Sequence, residues 1–297
     1  EAGYEALFLG VGTPQGVKPN IPGIDSEGVV DALQFLQTYN MRGSVPVEKE
    51  IIIVGGGNAA IDAARTAVRL GAEKVHVVYR RTQEEMPAYA EEIEAAVEEG
   101  VLLHTLTNPV SILNENGQVS GVQCSVMKLG AFDKSGRRRP EQDEEKFIIN
   151  AQQLIMATGQ TLECEPLLDG MQLVTIGNQQ IKVNPITGQT SVPWIFSGGD
   201  AATGPSSVIE AVGGGERAAV GIDMYLTGEN HAFWRQEQKV ETLFDPDDEP
   251  VKFPRKNLTM LEVERRKTNF DEVEQVWVES EAVRQAQRCL RCDYGKC

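Results

Sequence analysis

No apolar run in this 297-residue chain approaches the ~20 residues that a membrane helix needs. The longest, such as Ile51–Val54, are strand-sized, so the chain is not read as crossing a bilayer. Basic residues are also short: 28 Lys and Arg stand against 44 Asp and Glu, a net charge of −16. A field of that sign repels phosphate backbones and anionic lipid surfaces, which excludes nucleic acid as the expected partner. Cysteine is scarce. Of the five, Cys289, Cys292 and Cys297 crowd the last nine residues, leaving only Cys124 and Cys164 for the body. That is not a disulfide framework, and with no secretory signal at the start the expected compartment is the reducing cytoplasm. Histidine is limited to His76, His104 and His231, far apart in sequence. They read as structural, and no Ser-His-Asp or paired-carboxylate arrangement is evident.

What is present is ordinary globular composition, 41% hydrophobic and 24% charged. This excludes a disordered chain, a collagen and a disulfide-dense mini-protein. At about 150 residues per domain the length allows two domains.

The pattern along the chain is α/β. Tyr4–Thr13 reads as a buried strand ending at a glycine turn, followed by the breakers Pro14, Pro19 and Pro22. Residues 29–41 fit a short helix. Glu50–Val54 has no polar alternation and reads as a parallel strand covered on both faces. Gly55–Asn58 is a tight turn, Ala59–Leu70 a helix stopped by Gly71, and Lys74–Tyr79 a second strand. Ala88–Glu99 is a second helix and Val101–Thr105 a third strand. Strand, helix, strand, helix, strand is the doubly wound signature. Residues 109–150 read as an inserted β-meander with strands Val110–Leu113 and Gly121–Met127 and turns at Asn116-Gly117 and Ser135-Gly136. Its run Arg137–Arg139 reads as a solvated loop. Gln153–Ala157 is another buried strand, and later segments predict a helix over Ser207–Leu226 and a polar tail from residue 231, with a helix over Ser280–Arg288.

Gly55-Gly56-Gly57-Asn58-Ala59-Ala60 fits G-x-G-x-x-A. The first glycine allows the turn, the second lets a pyrophosphate approach, and the small third residue lets helix and strand pack closely. The helix N-terminus then offers amides and the positive end of its dipole to the phosphates. Gly10–Gly12 and Gly213–Gly215 look similar, but only the first site has a strand before it, a helix after it and a second strand at the right distance. At that strand end, where a site for an unphosphorylated dinucleotide has Asp or Glu, stand Arg80 and Arg81. Guanidinium groups suit a 2′-phosphate, so NADP(H) is the expected cofactor. The competing reading makes both arginines surface charges or ion-pair partners of Glu84, Glu85 or Glu91.

Cys289-x2-Cys292-x4-Cys297 has metal-ligand spacing and lacks a fourth ligand. A [4Fe–4S] iron–sulfur cluster completed outside the chain is the first expectation, zinc the second and free thiols the third. Cys124 and Cys164 read as ordinary buried cysteines.

Gly55–Asp62, Val78–Ala88, Ala157–Gly159 and Trp194–Ala219 together resemble the small chain of NADPH-dependent glutamate synthase and related FAD/NAD(P) oxidoreductase subunits. The resemblance covers residues 1–226. It implies a two-dinucleotide-binding-domain flavoprotein: a Rossmann-type NAD(P)-binding domain inserted into a partial FAD-binding domain. On that basis residues 1–45 are a piece of the FAD domain with linker, 46–162 the NADPH domain, 163–230 the closing part of the FAD domain, and 231–297 a polar tail with a Cys-rich end. Gly12, Thr13, Ala157, Thr158 and Gly159 would mark the two connecting strands. Gly199 and Asp200 would contact FAD, and the helix N-terminus at Ser207 and Val208 would face the flavin. The FAD domain's own opening glycine unit does not precede Glu1, which implies an N-terminal segment outside this chain. The implied activity is hydride transfer between NADPH and FAD, with electrons passed through iron–sulfur centres to a larger redox partner subunit or a ferredoxin-like protein. The alternative is a non-catalytic, NADH-using electron-transfer module of a larger complex. A disulfide reductase is a weaker reading, since residues 1–288 hold no C-x2-C or C-x4-C pair.

Overall fold

The computed structural model describes residues 3–132, 138–162, 173–177, 179–232 and 254–288. The chain divides into two compact units, Glu1–His231 and Ala232–Cys297.

In the first unit the strands are β1 (Leu7–Leu9), β2 (Gln15–Gly16), β3 (Val29–Asp31), β4 (Glu50–Val54), β5 (Lys74–Val78), β6 (Leu102–His104), β7 (Thr107–Glu115), β8 (Gln118–Phe132), β9 (Arg138–Asn150), β10 (Gln153–Met156), β11 (Gln160–Thr161), β12 (Thr175–Ile176), β13 (Gln180–Ile181) and β14 (Ile195–Ser197). The helices are α1 (Ala32–Arg42), α2 (Asn58–Arg69), α3 (Ala90–Glu98), α4 (Asp200–Thr203) and α5 (Val208–Thr227). A parallel sheet runs in the order β3-β10-β4-β5-β6. The antiparallel meander β7-β8-β9 interrupts the chain between β6 and β10.

The unbroken apolar stretch at β4 has a direct cause. Ile51 and Ile53 enter a core shared with α1, α2 and α3, whereas Ile52 and Val54 enter a second core shared with the meander. Ile51, Ile52 and Ile53 are all fully buried. Each face of the sheet is covered by a different layer, so neither face admits polar residues. On the helical side, α2 presents Ala60, Ala63, Ala64 and Ala67, all fully buried, and these small residues let the helix lie close on the strands.

The sequence reading recovers the strand–helix–strand core and differs at three places. The reading places a helix at 29–41, whereas Val29–Asp31 is a fifth parallel strand beside β10, with α1 following it. The meander is longer than its apolar segments indicate, because its outer strand β9 is mostly solvent-facing and charged. The strand expected over Tyr4–Thr13 is confined to Leu7–Leu9, which pairs parallel with β14.

Two polar clusters lie in this unit. Arg65 is buried on α2, its Nη2 2.8 Å from Glu99 Oε1, and it also pairs with Glu92. Arg69 Nη2 reaches the same Glu99 oxygen at 3.0 Å. The Glu99 side chain is wholly buried, so it depends on both guanidiniums. Removing this carboxylate in Glu99→Ala takes from the Arg65 and Arg69 guanidiniums the buried charge they share and is expected to cost about 3 kcal/mol, read as a lower urea midpoint at unchanged slope.

The second cluster is His76 Nδ1 against His104 Nε2 at 2.9 Å, on neighbouring strands β5 and β6. Burial pushes both rings below the usual histidine range, and for His76 the neighbouring His104 adds to it, with Glu50 opposing and Lys74 reinforcing. Their neutral forms are therefore the folded forms. The unfolded chain binds these protons first, so this stability is present above the ordinary value of 6.5 and is lost as pH falls below it. Urea midpoints measured from pH 7.5 down to 5 should fall, and a His76→Asn, His104→Asn variant should show a shallower fall.

The second unit holds a short antiparallel pair, Thr259–Met260 with Glu274–Gln275, and two helices, Val263–Arg266 and Glu279–Ala286. Lys256 Nζ lies 3.1 Å from Glu281 of the second helix, and Lys256 N donates to Gln285 Oε1 at 3.1 Å. Cys289, Cys292 and Cys297, the expected cluster ligands, and Cys164 lie outside the described residues. Among the described residues no group of three or more His, Cys, Asp or Glu side chains is arranged to hold a metal ion, and no helix is long and apolar enough to cross a membrane.

Candidate functional site

A cavity of about 510 Å³ opens at the carboxyl ends of β4, β5 and β10. It lies where the chain order of the sheet reverses, with β5 on one side of β4 and β10 on the other. Loops diverge at such a point and leave a crevice.

The glycine turn after β4 forms its floor. Gly55 has φ +149°, and a Cβ there would collide with the carbonyl oxygen of Ala157. Gly55 N donates to Val78 O at 3.0 Å and Ala157 N to Val54 O at 2.8 Å, so the three strand ends are laced together. A Cβ on Gly56 would lie 2.5 Å from the Tyr79 ring. Gly57 is different. Its φ is an ordinary −89° and a Cβ would meet nothing within 4 Å. No protein group requires a glycine there, which leaves open space at the cavity floor. Gly57 also caps α2 without a side chain, and the N–H groups of Asn58 and Ala59 have no protein acceptor among the described residues. Uncapped amides at a helix start form an anion site.

The segment after β5 is folded over this turn. Ala88 N donates to Gly56 O at 3.0 Å, Tyr89 N to Asn58 Oδ1 at 3.1 Å, and the Tyr79 hydroxyl to Glu85 O at 2.8 Å. The Asn58 side chain is thus a clamp on the loop. Both arginines line the cavity, and the structure separates them. Arg80 is exposed and makes no hydrogen bond or ion pair among the described residues. Arg81 is 8% exposed, donates from Nε to Arg138 O at 3.1 Å and lies 3.9 Å from Glu85. Leu106, at the end of β6, holds φ +48° while donating to Arg81 O at 2.9 Å. A left-handed conformation in a non-glycine residue is strain, and here it directly precedes Thr107, which lines the cavity.

Ala157, Thr158 and Gly159 line the same cavity from the β10 side. They also begin the return connection: Thr158 Oγ1 donates to Val17 O at 2.8 Å, Val17 N to Gly159 O at 2.9 Å, and β2 pairs antiparallel with β11. Thr13 is buried and donates from Oγ1 to Gln160 Oε1 at 3.1 Å. Gly12, with φ +66°, precedes it. Gly12 and Thr13 therefore belong to the paired connectors and do not line the cavity.

Gly199, Asp200, Ser207 and Val208 lie outside the cavity lining, around β14 and the start of α5. Asp200 Oδ1 accepts from Ser206 N at 3.1 Å. Ser207 and Glu210 form a reciprocal cap on α5, with Glu210 N donating to Ser207 Oγ at 3.3 Å. Val208 and Ile209 on that first turn are 78% and 79% exposed. Sequence reasoning missed Val17, Pro19 and Ile21, which close the cavity from the connector, and Asn108 and Pro109 from β7. No local pattern marks them, since their position follows from the meander and connector folding back over the sheet.

Gly57→Ala tests the empty floor. Stability should stay within about 1 kcal/mol of the parent, because the backbone angle is ordinary and no atom is displaced. Affinity for a pyridine dinucleotide should fall at least tenfold in a calorimetric titration.

Residues 1–215 match the sequence profile of a family described as pyridine nucleotide-disulphide oxidoreductase. The NADP(+)-dependent formate dehydrogenase subunit beta of Moorella thermoacetica is 37% identical over 97% of this chain and 42% of its own length. The NADPH-Fe(3+) oxidoreductase subunit beta of Geobacter sulfurreducens is 32% identical over 97% of this chain and 48% of its own. The glutamate synthase [NADPH] small chain of Escherichia coli is 37% identical over 75% of this chain and 51% of its own. The chain thus spans about half the length of these curated relatives or less. Among solved structures, FprA of Mycobacterium tuberculosis in complex with NADPH aligns with TM-score 0.62 at 19% identity, covering 76% of this chain and 64% of FprA. Thioredoxin reductase of T. acidophilum aligns at 0.58 and 16% identity, covering 75% of this chain and 66% of the reductase. These two likenesses concern the fold.

Proposed function

This chain belongs to the pyridine nucleotide-disulphide oxidoreductase family, and on that premise we propose that it is the NADPH-binding part of a flavin-dependent oxidoreductase subunit. It would exchange hydride between NADPH and FAD and send electrons through iron–sulfur centres to a partner subunit or ferredoxin-like protein. The observation that carries this reading is the open space over Gly57, at an uncapped helix start and beside a free Arg80.

The residues present fit an NADPH. The amides of Asn58 and Ala59 would hold the pyrophosphate, and Arg80 at the end of β5 would hold the 2′-phosphate, where an unphosphorylated ribose would call for a carboxylate. Arg81 is committed to Glu85 and the Arg138 carbonyl and would shape the loop that presents Arg80. Thr158 and Gly159 would border the nicotinamide end. The remnant around β1, β14 and α5 fits one edge of a flavin site: Val208 and Ile209 offer apolar surface that a flat ring would cover. The bound flavin supplies the hydride acceptor and separates two-electron from one-electron chemistry. The chain's own contribution is orientation. Reacting rings must approach to about 3–3.5 Å, and the paired β2 and β11 connectors are where one body would turn against the other. Cys289, Cys292 and Cys297 would serve as ligands of the cluster that carries electrons onward. Homologues named as subunits support a partner, and the −16 charge favours a basic docking face on it.

Dithiol chemistry is not part of this reading. Cys124, the free thiol of the described residues, is buried, and burial pushes its pKa up to about 12. A thiol so poised does not supply a thiolate.

Arg80→Ala should weaken NADPH binding about 10- to 100-fold, as expected for a lost charge-assisted phosphate contact, and leave NADH binding unchanged. Equal losses for the two would overturn the 2′-phosphate assignment.

A further inference from the structure

The stretch from Arg80 to Glu85 sets two carboxylates, Glu84 and Glu85, directly after the two arginines of the dinucleotide cavity. A carboxylate beside a bound 2′-phosphate repels it unless its charge is offset. Glu84 is exposed, where water screens it. Glu85 is more enclosed and is tied down. Its Oε2 accepts from Thr82 N at 3.4 Å and from Thr82 Oγ1 at 3.2 Å, and its Oε1 lies 3.9 Å from Arg81 Nε. Its carbonyl accepts from the Tyr79 hydroxyl at 2.8 Å. We propose that Arg81 is a positioning residue for cofactor choice: it holds and offsets the Glu85 carboxylate, so that Arg80 meets the 2′-phosphate at full charge, and it does not itself touch that phosphate. The proposal rests on the NADPH reading above and assigns the second arginine of the pair an indirect part in it.

Burial and bonding separate this role from direct contact. The Arg81 and Glu85 side chains are 9% and 21% exposed, so salt screens their attraction less than that of a surface pair. Arg81 Nε is also given to Arg138 O at 3.1 Å. Swinging the guanidinium toward a ligand would leave that buried bond unmade and free the Glu85 carboxylate at the same time. Glu85 in turn cannot drift toward Arg80 while Thr82 holds its carboxylate and Tyr79 its carbonyl. Thr82 and Glu85 form a reciprocal cap, a position that Gln fills as well as Glu. Glu85→Gln therefore removes the charge and keeps the turn.

The test is a charge-rescue series, titrating the full chain calorimetrically with NADP+ and with NAD+. Arg81→Met should weaken NADP+ about tenfold, because the Glu85 charge is no longer offset, and change NAD+ by less than about twofold. Glu85→Gln should tighten NADP+ about threefold, because the Arg81 charge is then unopposed. The double variant Arg81→Met, Glu85→Gln should return NADP+ to within about twofold of the parent. A direct phosphate contact by Arg81 predicts no rescue, so a double variant as weak as Arg81→Met would overturn the proposal. Equal losses of NADP+ and NAD+ in Arg81→Met, or no loss of either, would overturn it as well. If Arg81→Met does not fold, Glu85→Gln decides alone: unchanged or weaker NADP+ binding sinks the proposal. Arg80→Ala keeps the two readings apart, since a loss confined to NADP+ upholds the NADPH site whatever the rescue shows. Failure of the parent chain to bind NADP+ would overturn both.

Discussion

The contact between Gly55 and the carbonyl of Ala157 is the constraint on which the site depends. Two parallel strands, separated by about a hundred residues of chain, must end at the same level and almost touch. Only a residue without a Cβ permits it, and Gly55 then turns so that α2 starts directly over the crevice. The helix start, the open floor at Gly57 and the folded-over loop from Arg80 to Tyr89 all follow from that approach. The alanine stripe of α2 serves the same end, because a bulkier face would lift the helix and carry its free amides away from the cavity.

Electrostatics divide the labour around this point. Glu99 with Arg65 and Arg69 is a closed, buried set that locks α2 to α3 and so fixes the far end of the helix. Arg81 is likewise consumed, by the Arg138 carbonyl and Glu85, and joins the meander to the loop. Arg80 is left facing the cavity. Adjacent, identical residues thus end in different roles because one side chain is buried in packed structure and its neighbour is exposed at the cavity.

Much of the fold was legible because its signals are local. β4 is apolar throughout since two layers cover it, and the spacing of glycines and strands around residue 55 identifies the turn. Gly213–Gly215 has a similar glycine pattern and proves to lie within α5, where Gly214 packs on the Gly198 and Gly199 backbone. The strand β9 escaped detection because an outer, solvent-facing strand carries charges and shows no hydrophobic alternation. Val17, Ile21 and Asn108 at the cavity gave no signal, for they are brought there by segments that return from elsewhere in the chain.

The amino-acid order alone determined the doubly wound core, the glycine turn after β4 and the presence of arginine in place of a carboxylate beyond the end of β5. Each rests on neighbours within a few turns of chain. Folding in three dimensions decided which arginine is free, that Asn58 clamps the loop, and that the meander is tied to the cavity loop through Arg81 and Arg138. These depend on burial and on pairings across long sequence separations, where the same residue type is spent in one setting and left available in another.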